Sequence, residues 1–313
     1  MADAAHTAGT APVAEAGDLA APDTRPRRQE IVAIVVGNRL ALFGLIVLAL
    51  LVFAALFGQW LVPYGLNDIS VADRLSPPSA AHWFGTDELG RDVLTRVVLA
   101  ARVSLLVGLV AVGISLSIGV VSGLIAGFYG GRLEDVIMRL MDVIFAFPAV
   151  LLAIAILAIL GPGTTSTMVA IGIVYTPIFA RIVRGSALSV REEVYVRAAR
   201  AVGANDTRLI ALHVLPNLLA PVIVQTSISL AFAILSEAAL SFLGLGVQPP
   251  DPSWGRMLFE GRGFIQQAWW IAVFPGLAIF VTVLSFNVVG DALRDALDPR
   301  QRSAIQSQGL DRD

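Results

Sequence analysis

The chain has 313 residues and a formal charge of −2, with 56 % apolar and 15 % charged side chains and a mean hydropathy of +0.77. Soluble domains carry roughly 45–50 % apolar and about 25 % charged residues, so this much apolar surface calls for a bilayer as its solvent. With no Cys and no Lys in the chain, disulfides, thiolate chemistry, a Walker A nucleotide loop and a pyridoxal Schiff base are all excluded.

Residues 1–29, rich in Ala, Pro, Thr and Asp, read as a disordered tail that ends in the Arg25–Arg28 cluster. Ile31–Val36 reads as a short helix lying in the membrane interface. A spanning helix needs roughly 20 apolar residues. Six segments reach that length, at 40–62, 103–127, 137–160, 166–184, 218–243 and 269–290. The first is too long for a signal peptide and lacks its small-residue cleavage site, so it is read as a retained helix. Breakers lie between the spans: Pro63, Pro77-Pro78, Gly130-Gly131, Gly161-Pro162-Gly163, Pro216, Pro249-Pro250 and Pro299. The predicted fold class is an all-α integral membrane protein, with one transmembrane domain over 30–300 and a second tail over 301–313.

Orientation follows from Arg placement. With the N-terminus cytoplasmic, 16 of the 22 Arg fall on inside segments and 6 outside, and the acidic residues Asp68, Asp73, Asp87, Glu88 and Asp92 fall outside. Both termini are therefore expected in the cytoplasm. Trp60, Trp83, Trp254, Trp269 and Trp270 all fall near the outer face, as an aromatic belt would.

Several positions within this plan suggest specific contacts. Phe84–Arg102 is predicted as an outer amphipathic helix entering span two, with Asp87 as its N-cap. Gly119, Gly123 and Gly127 fall on one face of that span, where small residues let helix backbones meet. Arg139 and Asp142, three apart, suit an intrahelical pair. Pro148 and Pro177 are placed to bend spans three and four. Glu237 is an ionisable residue inside span five, read either as facing a pathway or as a hydrogen-bonded group ordering packing beside Ser236 and Ser241. His82 is read as a surface residue rather than a metal ligand.

The stretch from Gly185 to Asn217 is far longer than a reconnecting hairpin needs. Ser189–Val202 favours helix, Gly203 suits a left-handed helix end, and Asn205 or Asp206 suits the cap of a second, shorter helix that Pro216 stops. Ala198, Ala199, Ala201 and Ala204, edged by Arg197 and Arg200, form a small-residue surface that admits a close protein partner.

Arg197-Ala198-Ala199, Gly203 and Leu215-Pro216 resemble the EAA loop of ABC importer permeases, with the spacing preserved. Two positions depart from the family pattern: Arg197 stands for its Glu and His213 for its Ile. Phe84-Gly85-Thr86-Asp87, Gly90-Arg91-Asp92, Ser241-Phe242-Leu243-Gly244, Trp254-Gly255, Phe274-Pro275-Gly276 and Gly290-Asp291 are similar to the dipeptide/oligopeptide/nickel branch. The resemblance covers about residues 30–302. It implies the type I importer permease fold in a bacterial inner membrane, and a coupling helix around Gly203. It also implies a homologous second permease, two ATPase subunits or one fused ATPase that bind the ATP and Mg, and an extracytoplasmic peptide-binding protein. The coupling set is Arg197, Ala198, Ala199, Arg200, Gly203, Ala204, Asn205, Asp206, Leu215 and Pro216. The expected docking residues are Asp87, Arg91, Asp92 and Trp254, and the pathway candidate is Glu237. Membrane lipid is expected around the chain; a cofactor, a nucleic acid and covalent chemistry in this chain are not. Nothing in the spans selects dipeptides over longer peptides, glutathione, haem or nickel chelates. An ion-coupled secondary transporter is disfavoured, because no internal repeat accompanies Glu237.

Overall fold

The computed structural model describes residues 35–297. The two tails and most of the expected interfacial helix over Ile31–Val36 lie outside those residues. The described residues are mostly helical, with irregular stretches over 62–92 and 243–253 and α1 over Arg39–Leu61, α2 over Val93–Tyr129, α3 over Gly131–Phe145, α4 over Ala149–Leu160 and α5 over Thr164–Arg191. It continues with α6 over Val194–Ala201, α7 over Asp206–Leu209, α8 over Leu215–Phe242, α9 over Trp254–Gly261 and α10 over Trp270–Leu297.

Five helical runs are long and apolar enough to cross a membrane: α1, α2, α5, the stretch from Asp206 to Phe242, and α10. The third expected span differs. It breaks into α3 and α4, bent by 91°, with Pro148 as the N-cap of α4. Proline disfavours helical conformation in the residue before it, so the bend falls at Ala146–Phe147. Pro177, by contrast, sits inside a continuous α5.

The centre of the fold is the α2–α5 pair. A Cβ on Gly119 would lie 2.5 Å from Cβ of Phe179, and one on Gly127 would lie 2.6 Å from the Arg184 carbonyl. At Gly123 the added atom would run into the Ala180 backbone. These glycines therefore bring two helices of the same chain into backbone contact, the form of packing that lipid-embedded helices use in place of hydrophobic drive. Around the pair, α8 and α10 close the bundle. α1 lies outside them, touching through Gly44, which meets Ser285 and Val289, and Gly58, which meets Val98.

Salt bridges and caps hold the helix ends. Asp142 pairs with Arg181 of α5 at 2.8 Å, not with Arg139; Arg181 also stacks over the Phe145 ring at 4.1 Å. Packing of α3 on α5 delivers a partner that local spacing on α3 does not reveal. Arg184 pairs with Glu134, and Arg191 donates to the Gly127 and Phe128 carbonyls at 3.1 and 3.2 Å, satisfying the open end of α2.

Candidate functional site

Two regions at opposite ends of the bundle gather the candidate residues. At one end, α5 runs on to Arg191 and breaks at Glu192–Glu193, so the helix expected over Ser189–Val202 is two pieces. The second piece, α6, ends in a full glycine cap. Gly203 takes φ +91°, its N–H reaches the Arg200 carbonyl at 3.0 Å, and the Ala204 N–H reaches that of Ala199 at 3.1 Å. This Schellman arrangement requires a left-handed residue after the helix. Asn205 then caps α7, its Oδ1 accepting from the Arg208 N–H at 2.9 Å.

From α7 the chain does not stop at Pro216. It passes through a π turn over Ile210–Val214 into α8, and Pro216 occupies the first turn of that helix. Asp206–Phe242 is thus one helical run of 37 residues, about 55 Å long.

Val196, Leu209, Val214 and Leu218 are wholly buried against Phe128, Val183 and Ala187. This keel turns the other face outward. Arg197, Ala198, Arg200, Gly203, Asn205, Asp206, Leu215 and Pro216 are exposed, with Ala199 and Ala204 half-buried. Val202, at 87 % exposure, is the most exposed apolar side chain of the loop. A Cβ on Gly203 would meet nothing within 4 Å, so the glycine is needed here for its positive φ rather than for space. The result is a low, small-residue relief with Arg197 and Arg208 standing at its edges.

At the other end, residues 62–92 and 243–269 form a cap. Its helix entry differs from expectation: Asp92, not Asp87, caps α2, accepting from the Thr95 N–H at 2.8 Å, and the helix begins only at Val93. Asp87 lies inside the cap, 2 % exposed, and accepts from Arg91 Nε at 2.7 Å and Arg96 Nη1 at 2.6 Å. Glu260 of α9 meets Arg96 at 3.0 Å, Arg91 at 3.3 Å and Arg256 at 2.8 Å. Burial pushes the Glu260 carboxyl up, but Arg96, Arg256 and Arg91 outweigh it and hold the group below the usual carboxylate value. Glu88 goes the other way. Burial, helped by the Asp87 and Glu260 charges, raises it despite Arg91, and its Oε2 is buried without a partner.

Trp254 and Trp270 also leave the expected aromatic belt. Both are buried, with indole N–H groups donated to the Val97 and Thr86 carbonyls, each at 3.0 Å. Trp60, Trp83 and Trp269 remain exposed. All four expected docking residues (Asp87, Arg91, Asp92 and Trp254) are therefore interior supports of the cap rather than points on its surface. His82 stacks on Tyr64 with ring centres 4.8 Å apart and sits 3.0 Å from Asp92.

Below the cap, Glu237 is 0 % exposed and faces no path in this conformation. Ser241 donates to its Oε1 at 2.7 Å and Ser104 of α2 donates to its Oε2 at 3.2 Å. Ser236 is not one of these partners; it bonds Tyr175 of α5 at 3.0 Å. From sequence, Ser104, Arg96 and Glu260 carry no site role. Their partners are 133 and 164 residues away, and local spacing carries no trace of either contact.

The described residues form a helical bundle with a Gly-divided loop exposed at one end and a cap at the other, the arrangement of a multi-pass membrane protein. Residues 119–303 match the family of binding-protein-dependent transport system inner membrane components, and residues 29–78 match the N-terminal transmembrane domain of oligopeptide transport permease C. The chain belongs to this family and is a multi-pass inner membrane protein. A dipeptide transport system permease protein of Alkalihalophilus pseudofirmus is 50 % identical over 266 residues, covering 85 % of this chain and 88 % of its own. A glutathione transport system permease protein of Pectobacterium atrosepticum is 47 % identical over 261 residues, 83 % of this chain and 86 % of its own. Among solved structures, an inward-facing MetNI methionine ABC transporter matches with TM-score 0.52 and 17 % identity over 65 % of this chain and 96 % of its own, a likeness of fold.

Proposed function

We propose that this chain is one of two permease subunits in an ATP-driven importer of dipeptides or short oligopeptides. The observation that carries the reading is 50 % identity to a dipeptide transport permease over 85 % of the chain. The loop geometry supplies the mechanism. The exposed face of α6, Gly203 and α7 is the coupling surface, and it docks in a separate ATPase that binds the ATP and Mg. The Arg distribution supports a cytoplasmic loop and cytoplasmic termini, with the cap outside for a peptide-binding protein.

Transport then proceeds by alternating access. ATP closes the ATPase dimer, the docked loop moves with it, and the Asp206–Phe242 run carries the displacement across the membrane. Each state must be favoured by a different ligand, since a ligand that binds both equally shifts nothing. Arg197 stands where the family has Glu, so its partner on the ATPase is acidic rather than basic.

Gly203→Val tests the reading. A β-branched residue in this left-handed turn is strained by about 1–2 kcal/mol, enough to distort the cap while α8 still inserts. The expected result is normal membrane levels with peptide uptake abolished and ATP hydrolysis no longer linked to it. Unchanged uptake by the variant would overturn the coupling role.

A further inference from the structure

We propose that Glu237 is a positioning residue, a latch that locks the outer cap to α8 so that docking outside is felt at the coupling loop inside. The inference rests on the permease reading above and goes beyond it by naming the joint. Coupling between the two faces needs a rigid element that both ends bias. The Asp206–Phe242 run is such an element: its inner end is the coupling loop, and its outer end lies under the cap. A rod transmits a displacement only if its outer end is fastened to what a partner pushes.

Glu237 sits at that fastening. A carboxyl inside a membrane span is expensive unless partnered, and among the described residues no cation meets it; its hydrogen-bond partners are Ser104, Ser241 and Ser253, the first two each holding a segment of the cap and Ser253 capping α9. Ser104 Oγ donates to Glu237 Oε2 and accepts the backbone N–H of Trp254, the first residue of α9, at 3.3 Å. Ser241 Oγ donates to Glu237 Oε1 and accepts the backbone N–H of Val247 at 3.1 Å. Each hydroxyl has one proton, and both protons point at the carboxyl, which leaves both oxygens aimed at the cap. The carboxyl thus sets the direction of two relays, one through α2 and one through α8 itself.

The fit around it is close. A Cβ on Gly255 would lie 2.5 Å from Cα and O of Ala238, so α9 lies backbone-to-backbone on α8 one residue beyond Glu237. Above this contact the Arg96–Glu260 pair ties the far side of α9 to α2. A Leu at position 237 would fill the same space without burying a polar group, but it would leave the Ser104 and Ser241 protons unspent and free to turn away. What the carboxyl supplies is register: it holds the cap at one position over the rod.

The test uses the whole importer, with its second permease, ATPases and peptide-binding protein, reconstituted in liposomes. Basal ATP hydrolysis is compared with hydrolysis in the presence of peptide-loaded binding protein. Glu237→Leu is expected to reduce the stimulated increment by about tenfold, within the range typical of inter-site coupling, while basal hydrolysis stays near the wild-type rate. Glu237→Gln, which keeps one acceptor and adds a donor, is expected to restore most of the increment. Ser104→Ala and Ser241→Ala remove one relay each and are expected to fall between, so the inference stays open to refutation if the Leu variant does not assemble. Wild-type stimulation by Glu237→Leu, or an equal loss in the Leu and Gln variants, would overturn the latch. A wild-type complex that the binding protein never stimulates would instead overturn the permease reading beneath it.

Discussion

At the capped end of the molecule one cluster of charges is turned inward. Asp87, Arg91, Arg96 and Glu260 sit within the cap and bond to one another across segments far apart in the chain. At the inner end they are turned outward. Arg197, Asp206 and Arg208 stand on the exposed face of the loop, while four aliphatic side chains do the holding. The first arrangement resists deformation, because separating any member strands a buried charge. The second leaves the polar groups free for a partner and anchors them through contacts that slide at little loss. A permease that must move on demand places its fixed geometry at one face and its adaptable face at the other, with the Asp206–Phe242 run between them.

The strongest test of this contrast is Arg96→Ala. It leaves Asp87 and Glu260 short of their main cation, and breaking a buried pair from one side costs about 3–5 kcal/mol. A large fall in the apparent melting temperature of the detergent-solubilised complex is expected.

A smaller effect of opposite sign is expected at Glu88. Its folded-state value lies above the ordinary one, so the folded protein takes up the proton more readily than the unfolded chain. The ionised form therefore destabilises the fold at neutral pH, and that penalty fades as pH falls through the raised value. Glu88→Gln keeps the acceptor for Arg91 and supplies a neutral group at the unpartnered Oε2 position. It is expected to raise the melting temperature at neutral pH by removing the buried charge, with the gain vanishing below the ordinary carboxylate range, as read by melting temperature across pH.

The smallest effect is expected at the inner end. Arg197 has no ion-pair partner among the described residues, so Arg197→Ala is expected to change stability by under about 0.5 kcal/mol. A loss comparable to that of Arg96→Ala would erase the contrast between the two ends.

Five of the six spans were legible because hydropathy over roughly 20 residues is a strong signal. The third was not. Its apolar run is continuous from Val143 to Leu160, and hydropathy carries no angle, so the 91° bend at Pro148 was visible only as a breaker of unknown severity. The loop was legible in detail around Gly203 and Asn205, where capping chemistry is local. It failed at Pro216, because a proline stop and a proline first turn look alike in sequence. The cap was the least legible region. Its charges read as surface from composition, whereas their burial depends on Glu260 arriving from 164 residues away, which no local pattern encodes.

The measurement that tests the central claim most directly exploits the absence of Cys and Lys from the chain. A single Cys at an exposed loop position, Ala201→Cys, is joined with a thiol-to-amine crosslinker in membranes holding the assembled importer. This chain has no lysine, so an adduct whose mass includes a second polypeptide reports a neighbouring subunit. The account predicts an adduct with the ATPase from Ala201→Cys and none from Trp83→Cys at the outer end. An importer that hydrolyses ATP yet gives no ATPase adduct at position 201, or gives one at position 83, would contradict it.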